Sequence, residues 1–246
     1  MMRLEYQYGT ERIEFELEYS KRRTLSIQVN PPREITVVAP LGKTEEEILQ
    51  AVKGKSRWIV QKLYEIKEIE HRRSRKEYVN GESFLYLGRN HSLDIVVDRS
   101  VRVPEAKLFR GRFVVRTASR DEDHVRKALR DWYRDKAKEK VTERVDYYQG
   151  YFDHKPRRIV IKDQDKRWGS CTRDNELLFN WKVVMAPAPV LDYIVVHEMC
   201  HMVHRNHSRD FWQLLERILP DYEKRKEWLR NNGIRLDRNN GIRLEM

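Results

Sequence analysis

At 246 residues the chain has room for one large domain or two small ones. Charged residues make up 36% and hydrophobic residues 39%, a charge-rich composition that still permits a buried core. No run approaches the ~18–20 apolar residues of a membrane span, so no membrane-spanning helix is expected. The net charge is +11, which admits nucleic acid or another polyanion as a partner. The positive residues are scattered, however, and "HRRSRK" at 71–76 is the one dense cluster, so a solvated charged surface is the simpler reading. Two cysteines, Cys171 and Cys200, make no disulfide framework and point to a reducing compartment. The first residues, "MMRLEYQYGTER", lack the apolar stretch of a secretory signal. A cytoplasmic location is the expectation.

Residues 3–39 read as strands. "RIEFELEY" alternates apolar and charged residues, and "TLSIQV" and "ITVVA" keep the period of two, with a turn at Asn30-Pro31-Pro32 between them. "GKTEEEILQAV" opens a helix, with Thr44 and Glu47 spaced as a capping box. Helical spacing of apolar residues carries that helix to about residue 75, with Gly54 as its weak point. Asn80-Gly81 signals a turn, and "SFLYLG", "HSLDIVV" and "RFVVRT" are further strands. A helix is predicted from Asp121 to about Tyr148. "RRIVIKDQDKRWGSCTRDNELLFN" follows as two or three short strands, with "ELLFN" a predicted edge strand. Pro187 and Pro189 mark the entry to a helix carrying "VLDYIVVHEMCHMV", and Ser208 caps the next, "RDFWQLLERIL", which Pro220 stops. A short duplication, "RNNGIRLD" then "RNNGIRLE", ends the chain.

The predicted fold is α+β. A β-rich N-terminal region with a long helix covers 1–77, and a β-hairpin region covers 78–120. A C-terminal domain covers 121–237, and the duplicated tail 238–246.

Four of the eight histidines lie between 197 and 207. His197-Glu198-Met199-Cys200-His201 is an H-E-x-x-H motif. Residues four apart share a helix face, so His197 and His201 can hold one Zn²⁺. Glu198, rotated about 100° from His197, stays within reach of a water at the metal and would act as general base. An exposed helix with incidental histidines is the alternative. The apolar run before the motif argues against it, because it would bury both imidazoles, and buried polar groups need partners.

A catalytic zinc takes three protein ligands and keeps one position open. His204 returns to nearly the same face as His197, but seven residues at ~1.5 Å separate them by about 10.5 Å along the axis. The third ligand must come from chain that has left the helix, and His207 fits. The resulting H-E-x-x-H-x5-H spacing is that of the metzincins, in which a glycine makes the turn. His204 holds that glycine position here, and the reversal can pass instead through Asn206, since Asn and His both tolerate a left-handed backbone better than most residues. Glu216 and Glu223 are the rival third ligands.

Arg167, Tyr193 and Tyr222 are candidate oxyanion or substrate-binding donors. Trp168 reads as packing. Asp192 is either a partner behind the ligands or a helix-start carboxylate. A nucleic-acid-binding module with a structural or inhibited zinc site is the competing function. It needs a fourth ligand, for which Cys171 is the best candidate. A zinc hydrolase acting on a small amide is a third reading.

Taken together, "RWGSC", "LLFNWKVVMAP", "LDYIVVHEMCHMVHRNHSRDFW" and "PDYEKRKEWL" resemble the YgjP-like zinc metallopeptidases, relatives of the SprT-like zincin proteases. "KRRTLSIQV", "ITVVAP", "RWIVQKL" and "NGESFLYLG" extend the resemblance through the N-terminal half, leaving out the tail after about residue 237. Methionine follows Glu198 where leucine is commoner. The resemblance implies a zincin-like catalytic domain over 121–237, one zinc per chain, and ligands His197, His201 and His207. It also implies Glu198 as base and peptides or unfolded proteins as substrates. The relatives' action on DNA-bound proteins, with the net charge of +11, makes nucleic acid a possible partner by resemblance.

Overall fold

The computed structural model describes residues 2–30, 34–71, 76–164 and 167–236. Pro31 and Pro32 of the predicted turn, residues 72–75 of the basic cluster and the tail from 237 lie outside them. The chain divides into two compact units, Met1–Ser74 and Arg75–Met246.

In the first unit, β1 (Met2–Tyr8), β2 (Glu11–Ser20), β3 (Ser26–Asn30) and β4 (Glu34–Pro40) form one sheet in the order β1-β2-β4-β3. The central pair, β2 and β4, is parallel and both outer pairs are antiparallel. The alternation seen in the sequence places Ile13, Phe15 and Leu17 on the buried face of β2, beside Ile35, Val37 and Ala39 of β4. Ile48 and Val52 of α1 (Glu45–Lys53) and Ile59 and Leu63 of α2 (Ser56–His71) complete that core.

The capping box of Thr44 and Glu47 forms as predicted. The single long helix does not. Gly54 closes α1, and the Lys55 N–H reaches back only three residues, to Val52 O at 2.9 Å. The chain restarts at Ser56, which is 1% exposed and bonded to Tyr6 Oη at 2.7 Å. Glycine is a poor helix former, and this tertiary anchor favours the break.

The second unit opens with β5 (Ser83–Tyr86), β6 (Arg89–Val97), β7 (Glu105–Phe109) and β8 (Arg112–Thr117), in the order β5-β6-β8-β7 with β6 and β8 parallel. β7 carried no strong strand signal in the sequence. The β5–β6 turn uses positive φ at Leu87 (46°) and Gly88 (78°), the pattern of a type I′ turn. It docks on the short 3-10 helix Trp181–Met185. Leu87 N–H donates to Val184 O at 2.7 Å and Gly88 N–H to Met185 O at 3.1 Å. A Cβ at Gly88 would lie 2.9 Å from Pro187 Cγ, so the residue must stay small.

α3 (Glu122–Tyr148) starts at Asp121, whose side chain accepts from the Asp123 and His124 N–H groups. Phe84, Leu93, Phe113 and Val115 share one core with Leu129, Tyr133 and Val141 of α3. β9 (Arg158–Lys162), β10 (Gly169–Cys171) and β11 (Glu176–Asn180) make a third sheet, ordered β10-β11-β9. β11 ("ELLFN") is therefore the central strand rather than the predicted edge, and β10 is an edge. β11 pairs with β10 on one side and with β9 on the other, and Leu177 and Phe179 on one of its faces are at 0% exposure.

α4 (Ala188–Cys200) follows, with Pro187 at its N-cap and ten of its 13 residues buried. α5 (Arg209–Ile218) and α6 (Tyr222–Leu236) complete the described chain. α6 was not predicted; its mixed charges give little apolar periodicity.

Candidate metal centre

His197 lies in the last turn of α4 and is 4% exposed. His201 caps the helix, and its Nδ1 sits 3.0 Å from His204 O. A carbonyl only accepts, so Nδ1 carries the proton and Nε2 carries the lone pair. The chain then turns through His204 and Asn206 without any positive φ among the described residues of this segment. Short backbone bonds do the work instead: Met202 N–H to Met199 O (3.0 Å), and Val203 and His204 N–H to Cys200 O (3.1 and 2.9 Å). The expected left-handed residue at Asn206 is thus not needed. A 3-10-like unwinding of the helix end reverses the chain.

Ser208, whose Oγ accepts from Phe211 N–H at 3.4 Å, starts α5 directly after His207. That placement brings His207 Nε2 to 3.1 Å from His197 Nε2. One ligand nitrogen from each of His197, His201 and His207 lies within 4.8 Å of the others. Phe211 sits against all three rings at 5.0, 4.7 and 4.7 Å between centroids, and Trp212 stacks on His207 at 5.5 Å.

Burial, then the neighbouring His201, His207 and Lys226, pushes the His197 pKa well down, so its imidazole is neutral. Two imidazole nitrogens 3.1 Å apart can share a proton or a metal ion. His197 Nδ1 is buried and finds no hydrogen-bond partner among the described residues, so no carboxylate or carbonyl holds that ring. A cation bound to Nε2 fits this arrangement. Three imidazoles are a donor set suited to zinc. His204 stays outside the group, contributing its carbonyl. Cys171, Glu216 and Glu223 are also outside it among the described residues.

Glu198 is 4% exposed. β10 runs against it so closely that a Cβ on Gly169 would stand 2.7 Å from Glu198 Cγ and 2.8 Å from Oε1. This explains the glycine of "RWGSC". Trp168 is 1% exposed and faces Gly233 of α6, where a Cβ would approach its ring to 3.4 Å, so it packs as predicted.

Two positioning residues were missed in the sequence. Asn180, fully buried, donates to Gln164 O (2.7 Å) and Arg167 O (3.3 Å) and accepts from Lys182 N–H (3.1 Å), fixing the approach to β10. Arg205 reaches back from the loop after α4. It donates to Thr172 O (2.7 Å), Arg173 O (3.1 Å) and the Asn175 side chain, and lies 3.5 Å from Cys171 Sγ. It ties the β10–β11 turn to the histidine loop.

Asp192 does not contact the ligands. It pairs with Arg144 of α3 (2.6 Å), accepts from Tyr148 Oη (3.0 Å) and approaches Arg225 of α6 (3.8 Å), anchoring the start of α4. Tyr193 is 0% exposed, its ring 5.7 Å from His197, and burial pushes its phenol pKa up. Tyr222 stacks on Trp212 at 5.5 Å, and Arg167 is exposed. Lys226, one turn beyond Tyr222 and not singled out in the sequence, places Nζ 4.4 Å from the Trp212 ring centroid.

One buried and two half-buried imidazoles beside a buried carboxylate form a group that could hold a metal ion. The sequence matches the YgjP-like, metallopeptidase domain family over residues 23–232, and the chain belongs to that family. It is a metallopeptidase, with peptides as its substrates. Among solved structures the chain is similar to the metallopeptidase zymogen of Pyrococcus abyssi abylysin. The identity is 15% and the TM-score 0.35, over 42% of this chain and 99% of that one. A likeness at that level carries no argument. No curated protein matches the sequence. Among the described residues, no helix is long and apolar enough to cross a membrane.

Proposed function

We propose a zinc-dependent peptidase of zincin type in which His197, His201 and His207 hold one zinc ion per chain and Glu198 is the general base. The observation that carries this is the 3.1 Å approach of His197 Nε2 to His207 Nε2, within a three-histidine group adjoining a buried carboxylate. Zinc at this position supplies Lewis acidity to the scissile carbonyl.

The protein's own residues do the rest. Glu198 accepts the proton of the attacking water and passes it to the leaving amine. Gly169 lets its carboxylate lie against β10. The edge strand β10 offers backbone groups to an extended peptide, which adds as a further strand. Tyr222, partly exposed and stacked on the ring that stacks on His207, is the better oxyanion donor; Tyr193 is sealed beneath His197 and braces it. A closed structural zinc site is less well supported, because Cys171 is engaged with Arg205 and its thiol pKa is raised, chiefly by burial. Two free cysteines accord with a cytoplasmic setting.

Glu198→Gln tests the assignment. The variant should bind one zinc per chain like the parent and lose about 10³-fold in cleavage of an unfolded protein substrate. Substantial cleavage by the variant, or a zinc-loaded parent that cleaves nothing, refutes it.

A further inference from the structure

α6 brings a cation to the rim of the histidine cluster. Lys226 is half-buried, and its Nζ lies 4.4 Å from the centroid of Trp212. Trp212 stacks on His207, with ring centroids 5.5 Å apart and planes at 24°. On the same face of α6, one turn earlier, Tyr222 stacks on Trp212 at 23°. Lys226 and Tyr222 therefore grip the indole that backs the third ligand. The ammonium is close enough for its charge to help keep His197 neutral.

The Trp212 face and the more distant charge of Glu223 are the favourable neighbours of this ammonium, and neither is an ion pair. On the same helix, Arg225 pairs with Asp221 and Arg230 with Glu227. Lys226 makes no ion pair among the described residues. A half-buried ammonium gains from a carboxylate partner, since a charge-assisted bond is stronger where water is partly excluded. An aromatic face alone offers a cation less.

We propose that Lys226 is a specificity-determining residue that takes a carboxylate of the bound peptide. That carboxylate is supplied by an acidic side chain close to the scissile bond or by the C-terminus. This rests on the peptidase reading above, and Tyr222 and Trp212 would then form the walls of that subsite.

The test uses zinc-loaded Glu198→Gln protein, which holds peptides without needing turnover, with binding followed by calorimetry. The probes are peptide pairs identical except for Glu against Gln at each position in turn, and each peptide with a free or an amidated C-terminus. The carboxylate member of one pair should bind about tenfold more tightly, equivalent to about 1.4 kcal/mol. The pair that shows the preference identifies the source of the carboxylate. Adding Lys226→Met should bring that ratio to about one, and adding Lys226→Glu should turn it toward a Lys-bearing peptide. Zinc stoichiometry and melting temperature, measured on each variant, establish that the fold is kept. No carboxylate preference in the parent, or a preference that survives Lys226→Met, overturns the proposal. Either result leaves the peptidase reading intact, because that reading stands or falls on zinc content and cleavage by the wild-type chain.

Discussion

Three imidazoles gathered against a phenylalanine, one of them kept neutral by burial, leave ligand nitrogens facing one another where a cation can bind. The His197 and His207 Nε2 atoms stand 3.1 Å apart, and burial holds the His197 pKa down. Two residues of this group were legible from spacing, and His207 was favoured there over Glu216 and Glu223. The i, i+4 pair follows from the helix, and the axial rise excludes His204. What spacing could not give was the shape of the reversal, because a glycine-free turn can be built by tightening the helix end as well as by a left-handed residue.

The distinction between two histidines three residues apart is measurable. His207→Ala should weaken zinc affinity by several orders of magnitude, whereas His204→Ala, which keeps the carbonyl that accepts from His201 Nδ1, should change it less than tenfold. Competition against a chromogenic chelator reads both. A greater loss at His204 contradicts the assignment.

Between elements, the contact that matters is β10 against α4. Glu198 reaches its place because Gly169, 29 positions earlier, has no side chain. No local pattern reports such a constraint, since it is set by how closely two elements approach in the fold. The same holds for Arg205 and Asn180, whose partners are backbone carbonyls far along the chain. It also holds for β11, whose centrality depends on β9 returning in parallel.

Strong local signals fared better. The capping box at Thr44, the Ser208 cap and the alternation in β2 all appear where the sequence places them. Gly169→Ala isolates the β10–α4 contact. The added methyl would stand 2.7 Å from Glu198 Cγ, so the carboxylate must move. Cleavage should fall about 10²-fold, the scale of a 1 Å misplacement, while zinc stoichiometry stays at one. Unchanged turnover would mean that the position of Glu198 is not what Gly169 protects.

At the scale of the whole molecule, one strand plan appears twice. Each unit has a four-stranded sheet with two antiparallel outer pairs around a parallel central pair, followed by a capped helix. The two hydrophobic cores share no residue: one is built on Ile13, Phe15 and Val37, the other on Phe113, Val141, Val195 and Phe211. All three histidines of the metal group belong to the second unit. A ligand that binds only the folded state stabilises the cooperative unit that contains its site, by about 2.7 kcal/mol at a hundredfold excess over its dissociation constant.

Removing the metal should therefore destabilise the two units unequally. Hydrogen exchange followed by mass spectrometry, with zinc and then with a chelator, resolves this along the chain. Backbone amides of α4, α5 and the loop joining them should exchange faster by about one to two orders of magnitude on chelation, and amides of β1, β2 and β4 should not change. Equal acceleration in both units would show that they unfold as one, and no acceleration around His197–His207 would remove the metal from the account of that loop's stability.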